Sequence, residues 1–364
     1  MKKIILSISL LLTFLISCNN NQSQNNQYKG GDNMDTRVFK IYTNIEMKKV
    51  RFKNRYGIEI AGDLYLPENY ASNKNPAIVI SGPFGAVKEQ ASGLYAQEMA
   101  SYGFVSLAFD PSFTGESGGD IRNTASPDIF TEDYSAAVDY LGLLEFIDRN
   151  RIGAIGICGL SGMAITAAGT DTRIKAVAAL SMYDMSRDMS KGHQDYYTPE
   201  QRRKIKEYLS TQRWKDAENK TYALGNHEPY FFDENNNLMA SAMTVPEELP
   251  ENADPVFAAF YNYYAKRAYH PRAVNFVTSW IAAMPMSFWN FPLMANIKDV
   301  SPTPILLIAG DRAHSRYYSE DVYKEALEPK ELLIIEDADH VDLYDNMEKI
   351  PFEKLSQFFK NNLK

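Results

Sequence analysis

The stretch RIGAIGICGLSGMAI, from Arg151 to Ile165, decides the fold of this 364-residue chain. Its first half is a short apolar run, Ile152 to Ile157, which predicts a buried parallel strand. Its second half, from Ser161 onward, is small and apolar and predicts a helix. A strand that turns so sharply into a helix holds one side chain in a strained position at the carboxyl end of the sheet, over the helix N-terminus. That is the geometry of a nucleophile elbow.

Two residues of this turn are candidate nucleophiles. Cys158 has Gly156 two positions before it, but Leu160 stands where a second small residue is usual. Ser161 has Gly159 before it, but Met163 follows, and the turn would come three residues after the apparent strand end. The strand length therefore favours Cys158, with Ser161 as the alternative.

The strands and helices alternate on both sides of the elbow. An edge hairpin is predicted over residues 50–67, and buried strands at PAIVIS (76–81), FVSLAFD (104–110), IKAVAALS (174–181), PILLIAG (304–310) and ELLIIE (331–336). This alternation predicts an α/β fold with a mostly parallel, doubly wound sheet. The pattern is interrupted over residues 186–298, which predict an inserted, largely helical cap. Residues 36–185 and 299–364 then form the core.

The N-terminus has the pattern of an export signal. Lys2 and Lys3 precede an apolar core that ends in Leu-Ile-Ser-Cys18, so residues 1–17 are predicted to be a lipoprotein signal peptide. Cys18 is the expected lipidation site, and the polar residues 18–35 a disordered tether. We therefore expect a lipid-anchored protein of a bacterial cell envelope, with membrane lipid as a partner through Cys18.

The overall composition excludes several classes of protein. A net charge of −8 and no basic patch argue against nucleic-acid binding, and no apolar run after residue 17 is long enough to span a membrane. Of the two cysteines, lipidation would use Cys18 and leave Cys158 as the only other thiol.

An elbow nucleophile needs a base, an acid and an oxyanion hole. Of five histidines, His340 alone follows the last predicted strand, and the order nucleophile, acid, histidine fits it as the base. Asp311 follows strand PILLIAG and is the expected acid, although Ala313 occupies the more usual position. Glu320 and Asp339 are alternative acids, and His314 is a possible pocket residue. The backbone N–H groups of Gly159 and Phe84 are the expected oxyanion donors.

These motifs together resemble a known family. GICGLSG resembles the cysteine elbow of dienelactone-hydrolase-like α/β-hydrolases, and FDPSFTGESGG (109–119) is similar to the loop after their fourth strand. The segments 269–272, 309–317 and 339–344 resemble a bacterial branch that is largely uncharacterised. The resemblance implies an α/β-hydrolase fold and hydrolysis of a small carboxylic ester, lactone or thioester through an acyl-enzyme, without a metal or other cofactor.

It also implies the roles of Cys158 as nucleophile, His340 as base and Asp311 as acid. Two other functions stay open at this stage. One is a serine-type peptidase or deacetylase on the same fold, and the other is a catalytically degenerate surface lipoprotein that only binds its ligand.

Overall fold

The computed structural model describes residues 35–225, 230–239 and 246–364. The predicted signal peptide, Cys18 and His227 lie outside these residues, as does the tether up to residue 34. Residues Thr36–Lys364 form one compact unit. The division into core and cap stays a prediction, because the structure does not separate these residues into two units.

The main sheet has eight strands in the order β1-β2-β4-β3-β5-β6-β9-β10. Strands β1 and β2 form the predicted edge hairpin, and β2 also runs antiparallel to β4, whereas all other neighbours are parallel. The strands are β1 (Glu46–Lys53), β2 (Glu59–Leu66), β3 (Asn75–Ser81), β4 (Val105–Phe109), β5 (Ile147–Ile157), β6 (Ile174–Leu180), β7 (Leu224–Gly225), β8 (Trp280–Ile281), β9 (Ile305–Gly310) and β10 (Lys330–Ile335).

Helices cover both faces of this sheet, and two apolar clusters fill the space between the layers. The α-helices are α1 (Ala91–Ser101), α2 (Pro127–Leu143), α3 (Leu160–Thr170), α4 (Met185–Lys191), α5 (Pro199–Asn219), α6 (Pro255–Tyr261), α7 (Met286–Trp289), α8 (Arg316–Glu325), α9 (Asp342–Asp345) and α10 (Phe352–Asn362). A π-helix, Asn262–Arg267, continues α6. The predicted doubly wound α/β fold is confirmed.

The central strand β5 explains why the pattern at the elbow is so apolar. Residues Ile152–Ile157 are all buried, because β5 lies between β3 and β6 and is covered on both faces. The strand begins at Ile147, shortly after helix α2 ends at Leu143.

Between β6 and β9 the described residues add no strand to the main sheet. They form α4 to α7 and the two-stranded ribbon of β7 and β8, which pair antiparallel. Residue pairs 224/281 and 225/280 make up this ribbon. No helix in the described part of the chain is long and apolar enough to cross a membrane.

Candidate active site

The turn at Cys158 has the backbone geometry of an elbow. Strand β5 ends at Ile157 and α3 begins at Leu160, so only two residues connect them. Cys158 has φ of 55°, in the left-handed region that side chains other than glycine seldom occupy. Its N–H donates to the carbonyl of Leu180 at 2.9 Å, which fixes the turn to β6. The side chain is thereby held at the carboxyl end of the sheet.

Gly156 allows strand and helix to come this close. A Cβ atom on Gly156 would lie 2.5 Å from the Cα of Ser161 and 2.9 Å from the Cβ of Ala164. The closest approach is therefore to the backbone of Ser161 and Leu160 and to the methyl group of Ala164, and the side chain of Leu160 is not among these nearest atoms. The side chain of Leu160 packs towards Gly82: a Cβ added to Gly82 would lie 3.0 Å from the Cβ of Leu160. This explains how a leucine fits where a small residue was expected.

The hydroxyl of Ser161, the alternative nucleophile, points back into the sheet. Its Oγ donates to the carbonyl of Gly156 at 2.8 Å and approaches that of Leu180 at 3.3 Å. The side chain is fully buried. These contacts give Ser161 a structural role in holding α3 against β5.

His340 lies between β10 and α9 and is almost fully buried. Its Nδ1 is 2.5 Å from Oγ of Ser315, and its Nε2 is 2.9 Å from the hydroxyl of Tyr344. Burial, and secondarily the nearby His314, lowers the pKa of His340 well below its usual value. The imidazole is therefore neutral at neutral pH and can accept a proton.

None of the carboxylates considered for the acid is hydrogen-bonded to the imidazole of His340. Asp311 is exposed, and its Oδ1 accepts a hydrogen bond from the N–H of Ala338 at 3.2 Å. Glu320 pairs with Arg316, and Asp339 caps the start of α9 through the N–H groups of residues 341 and 342. The expected placement of Asp311 beside His340 is therefore not observed. The reason is that Asp311 turns outward at the end of β9, and Ser315, four residues later, turns inward.

The sequence interpretation did not assign a role to Ser315 or Tyr344. Both lie within motifs that it singled out, 309–317 and 339–344, so the signal was present. Serine is not an acid, however, and a tyrosine four residues after a histidine is commonly a packing residue. Only the tertiary contacts reveal that both hydroxyls bond to His340.

The thiol of Cys158 is buried but surrounded by hydrogen-bonding groups. Burial raises its pKa to about 11, and this effect is opposed by the neighbouring Tyr344 hydroxyl and by hydrogen bonds from the backbone N–H groups of Phe84 and Gly159. Those two N–H groups are the expected oxyanion donors. Because they point at the sulfur, they lie beside the position that the carbonyl oxygen of a substrate attacked by this sulfur would occupy.

The loop that carries Phe84 is held from the opposite side by residues 272–275. Asn275 Nδ2 donates to the carbonyl of Phe84 at 2.5 Å, and the N–H of Val274 donates to that of Gly85 at 2.8 Å. Arg272 pairs with the buried carboxylate of Glu89, at the end of the same loop. This network fixes the direction of the Phe84 N–H, as a preorganised donor requires.

The side chains next to Cys158 and His340 are mostly aromatic. The ring of Phe84 stacks on Trp280 with centroids 4.4 Å apart and meets Phe288 at 5.8 Å. Tyr183 and Phe260 contact the His340 ring at 5.2 and 5.5 Å. The surroundings of the site are therefore largely apolar. In the described ranges, no cluster of His, Cys, Asp and Glu could hold a metal ion.

Comparison with known proteins identifies close relatives. No protein-family model matches the chain. The uncharacterised protein PA2218 of Pseudomonas aeruginosa is 52% identical over 342 residues, which cover 92% of this chain and 87% of the relative. The uncharacterised protein YcjY of Escherichia coli is 33% identical, covering 86% and 99%. Thiohydrolase apmlB of Arthrinium phaeospermum is 26% identical, covering 81% and 90%.

Solved structures agree on the fold. The crystal structure of PA2218 superposes with a TM-score of 0.83 at 51% identity, covering 94% of this chain and all of the other. The α/β-hydrolase GrgF of a Penicillium species superposes with a TM-score of 0.68 at 19% identity, covering 87% and 99%. At that identity the likeness shows the fold alone, and the fold is that of the α/β-hydrolases.

Proposed function

Because the chain belongs to the family that includes PA2218 and YcjY and has the α/β-hydrolase fold, we propose that it hydrolyses a small carboxylic ester, lactone or thioester. One observation carries the proposal. Cys158 lies at a strained elbow, next to the backbone N–H groups of Phe84 and Gly159. It also lies next to the hydroxyl of Tyr344, which is hydrogen-bonded to His340. A strained backbone at a functional site persists only where the surrounding structure holds it. Here Gly82 and Gly156 allow the close packing around the turn, and the buried hydroxyl of Ser161 bonds it to β5.

The chemistry begins when the Cys158 sulfur attacks the substrate carbonyl carbon and the thiol proton passes to His340. The oxyanion accepts hydrogen bonds from the N–H groups of Phe84 and Gly159, and its collapse expels the alcohol or thiol. His340 gives this proton to the leaving group, takes one from the water that attacks the acyl-enzyme, and returns it to the Cys158 sulfur when the carboxylic acid product departs. The same imidazole thus serves as base and acid in turn.

A thioester is the substrate that this nucleophile suits best. When an acyl group moves from the sulfur of a thioester to the sulfur of Cys158, the bond broken and the bond formed are both thioester C–S bonds. Acylation therefore needs little driving force. The aromatic surroundings formed by Phe84, Trp280 and Phe288 suit an apolar acyl group. The name of the relative apmlB, a thiohydrolase, is in line with this choice.

The test compares three substrates with the same short apolar acyl group: a thioester, a nitrophenyl ester and a nitroanilide. We expect hydrolysis of the first two, with the anilide at least about 10²-fold slower, which corresponds to about 2.7 kcal/mol in the barrier. An amine is a much poorer leaving group from a thiol adduct than a thiolate or phenolate is. Rapid cleavage of the anilide would support the peptidase or deacetylase alternative. No cleavage of any of the three would support the binding lipoprotein.

Ser315 is the observation that favours the binding alternative. A serine hydroxyl on Nδ1 stabilises an imidazolium less than a carboxylate does, because it carries no charge. The three-substrate comparison decides this point as well. Measurable turnover of the ester would show that a neutral partner is sufficient for His340 here.

For the location of the protein, we propose attachment to the cell envelope through acylated Cys18. The support is the sequence pattern of residues 1–18 alone. The full chain expressed in a bacterial host is expected to incorporate an alkyne-labelled fatty acid, and its Cys18→Ala variant is not. Equal labelling of both chains would contradict the proposal.

A further inference from the structure

The hydroxyl of Tyr344 lies between the two groups that must exchange a proton. It is 2.9 Å from Nε2 of His340, and it also lies next to the thiol of Cys158. Tyr344 belongs to the short helix α9, four residues after His340, so the two side chains share one face of the turn. Both partners of His340, Ser315 and Tyr344, are buried.

The hydrogen-bond directions around His340 are consistent with transfer through this hydroxyl. If Nδ1 carries the ring proton, it donates to Oγ of Ser315, and Nε2 is left as an acceptor for the Tyr344 hydroxyl. The tyrosine oxygen can then accept the thiol proton of Cys158. Cys158, Tyr344 and His340 then each donate one hydrogen bond to the next group, and all of these bonds run in the same direction, from the thiol to Ser315.

The position of Tyr344 is fixed by its neighbours. The rings of Tyr263, Phe260 and Tyr264 surround it with centroid distances of 5.1, 6.4 and 6.4 Å. The ring itself is fully buried. A hydroxyl held in this way loses little entropy when it transfers a proton, because its direction is already set.

From this geometry we propose that Tyr344 is a catalytic residue that relays the proton between the Cys158 thiol and His340; the proposal rests on the proposed function. In acylation the S–H proton passes to the Tyr344 oxygen while the tyrosine O–H proton passes to Nε2. The sulfur lone pair forms the bond to the carbonyl carbon, and the carbonyl π electrons move to the oxygen. When the leaving group departs, Nε2 gives its proton back to the Tyr344 oxygen while the tyrosine O–H proton passes to the oxygen or sulfur of the leaving group.

Two buried groups next to the relay would be sensitive to its protonation. His314 contacts the His340 ring at 4.9 Å, and burial lowers its pKa to about 4, so it stays neutral together with His340. Asp188 lies near Cys158 and is bonded to the hydroxyl of Tyr318; burial raises its pKa to about 6. Tyr183 and Tyr264 have pKa values raised by burial and stay neutral over the range in which the enzyme would be assayed.

The test is the Tyr344→Phe variant, which removes the hydroxyl and keeps the ring. Its matched control is Tyr263→Phe, an equally buried neighbour whose hydroxyl faces the backbone of Ala91 rather than the thiol. We expect kcat/KM for the nitrophenyl ester at pH 7 to fall about 10²- to 10³-fold in Tyr344→Phe, and to stay within about threefold of wild type in the control. Both variants keep the ring and lose one hydroxyl, which a domain of this size tolerates, and melting temperatures check that both fold.

The pH profile distinguishes a relay from a role in packing alone. Wild type is expected to be nearly flat from pH 7 to 9, because proton transfer within the site replaces ionisation of the thiol. In Tyr344→Phe the thiol must ionise into solvent, so kcat/KM should rise about tenfold per pH unit towards the high pKa of Cys158. If Tyr344 only packed against its neighbours, Tyr344→Phe would lower the melting temperature and keep the flat pH profile of wild type.

Cys158→Ala, assayed beside them, separates the two levels of the proposal. If Cys158→Ala is inactive and Tyr344→Phe keeps wild-type activity with a flat profile, the relay is wrong and the thiol hydrolase stands. If Cys158→Ala keeps its activity, the proposed function itself is wrong. Loss of activity in both, with the steep profile in Tyr344→Phe, supports the relay.

Discussion

Turnover of the nitrophenyl ester is expected to fall by about 10⁴-fold or more in Cys158→Ala, because in the proposed mechanism the sulfur forms the covalent intermediate and no other group replaces it. Binding and the backbone N–H groups of Phe84 and Gly159 would remain, so the residual rate should equal that of water attack in the same site. The measurement is steady-state hydrolysis at saturating substrate, corrected for the uncatalysed rate. Undiminished turnover would contradict the role of Cys158.

Ser161→Ala is the matched control in the same turn. Its hydroxyl donates to backbone carbonyls of β5 and β6, so its loss should cost about 1 kcal/mol of stability and leave turnover within about threefold. The expected decrease in melting temperature is about 2–4 °C. If Ser161→Ala lost as much activity as Cys158→Ala, the hydroxyl would have a part in the chemistry that its contacts do not suggest.

The second large effect concerns folding rather than chemistry. Gly156→Ala places a methyl group 2.5 Å from the Cα of Ser161, an atom that cannot move without shifting α3 away from β5. Overpacking against a flexible side chain typically costs 1–3 kcal/mol, and here the obstacle is backbone, so we expect about 4 kcal/mol. The melting temperature should fall by about 10 °C, as measured by circular dichroism or calorimetry.

Gly142→Ala provides the control for this substitution. A Cβ at Gly142 would lie 3.7 Å or more from its neighbours, an ordinary van der Waals distance, and the residue is in helix α2. Alanine favours a helix over glycine by about 1 kcal/mol, so this variant should be as stable as wild type or slightly more so. Equal melting temperatures for Gly156→Ala and Gly142→Ala would mean that the elbow is less tightly packed than the structure indicates.

The sequence was sufficient to predict the fold because the fold depends on local patterns. Apolar runs such as Ile152–Ile157 and Ile305–Gly310 have the composition of buried strands, and their alternation with helices allows few topologies. Residues that follow such strands come to the same edge of the sheet. Cys158 and His340 could therefore be expected at one end of the sheet before any contact was known.

The groups that bond to His340 could not be predicted in the same way. Asp311 and Ser315 lie in one short loop, and which of them turns inward depends on how that loop packs between β9 and α8. The aspartate was expected to bond to His340 because it is an acid, whereas the packing of the loop turns the serine inward. Tyr344 is recognisable as a partner only after α9 has placed its hydroxyl beside two other side chains.

The most direct test of the account is to find the acyl group on the protein. Wild-type enzyme is mixed with an excess of the activated thioester and quenched in acid within the first turnover, and its peptides are examined by mass spectrometry. The account predicts the mass of one acyl group on the peptide that contains Cys158, and none in the Cys158→Ala variant. An acyl group on the Ser161 hydroxyl, or turnover without any acylated peptide, would contradict it.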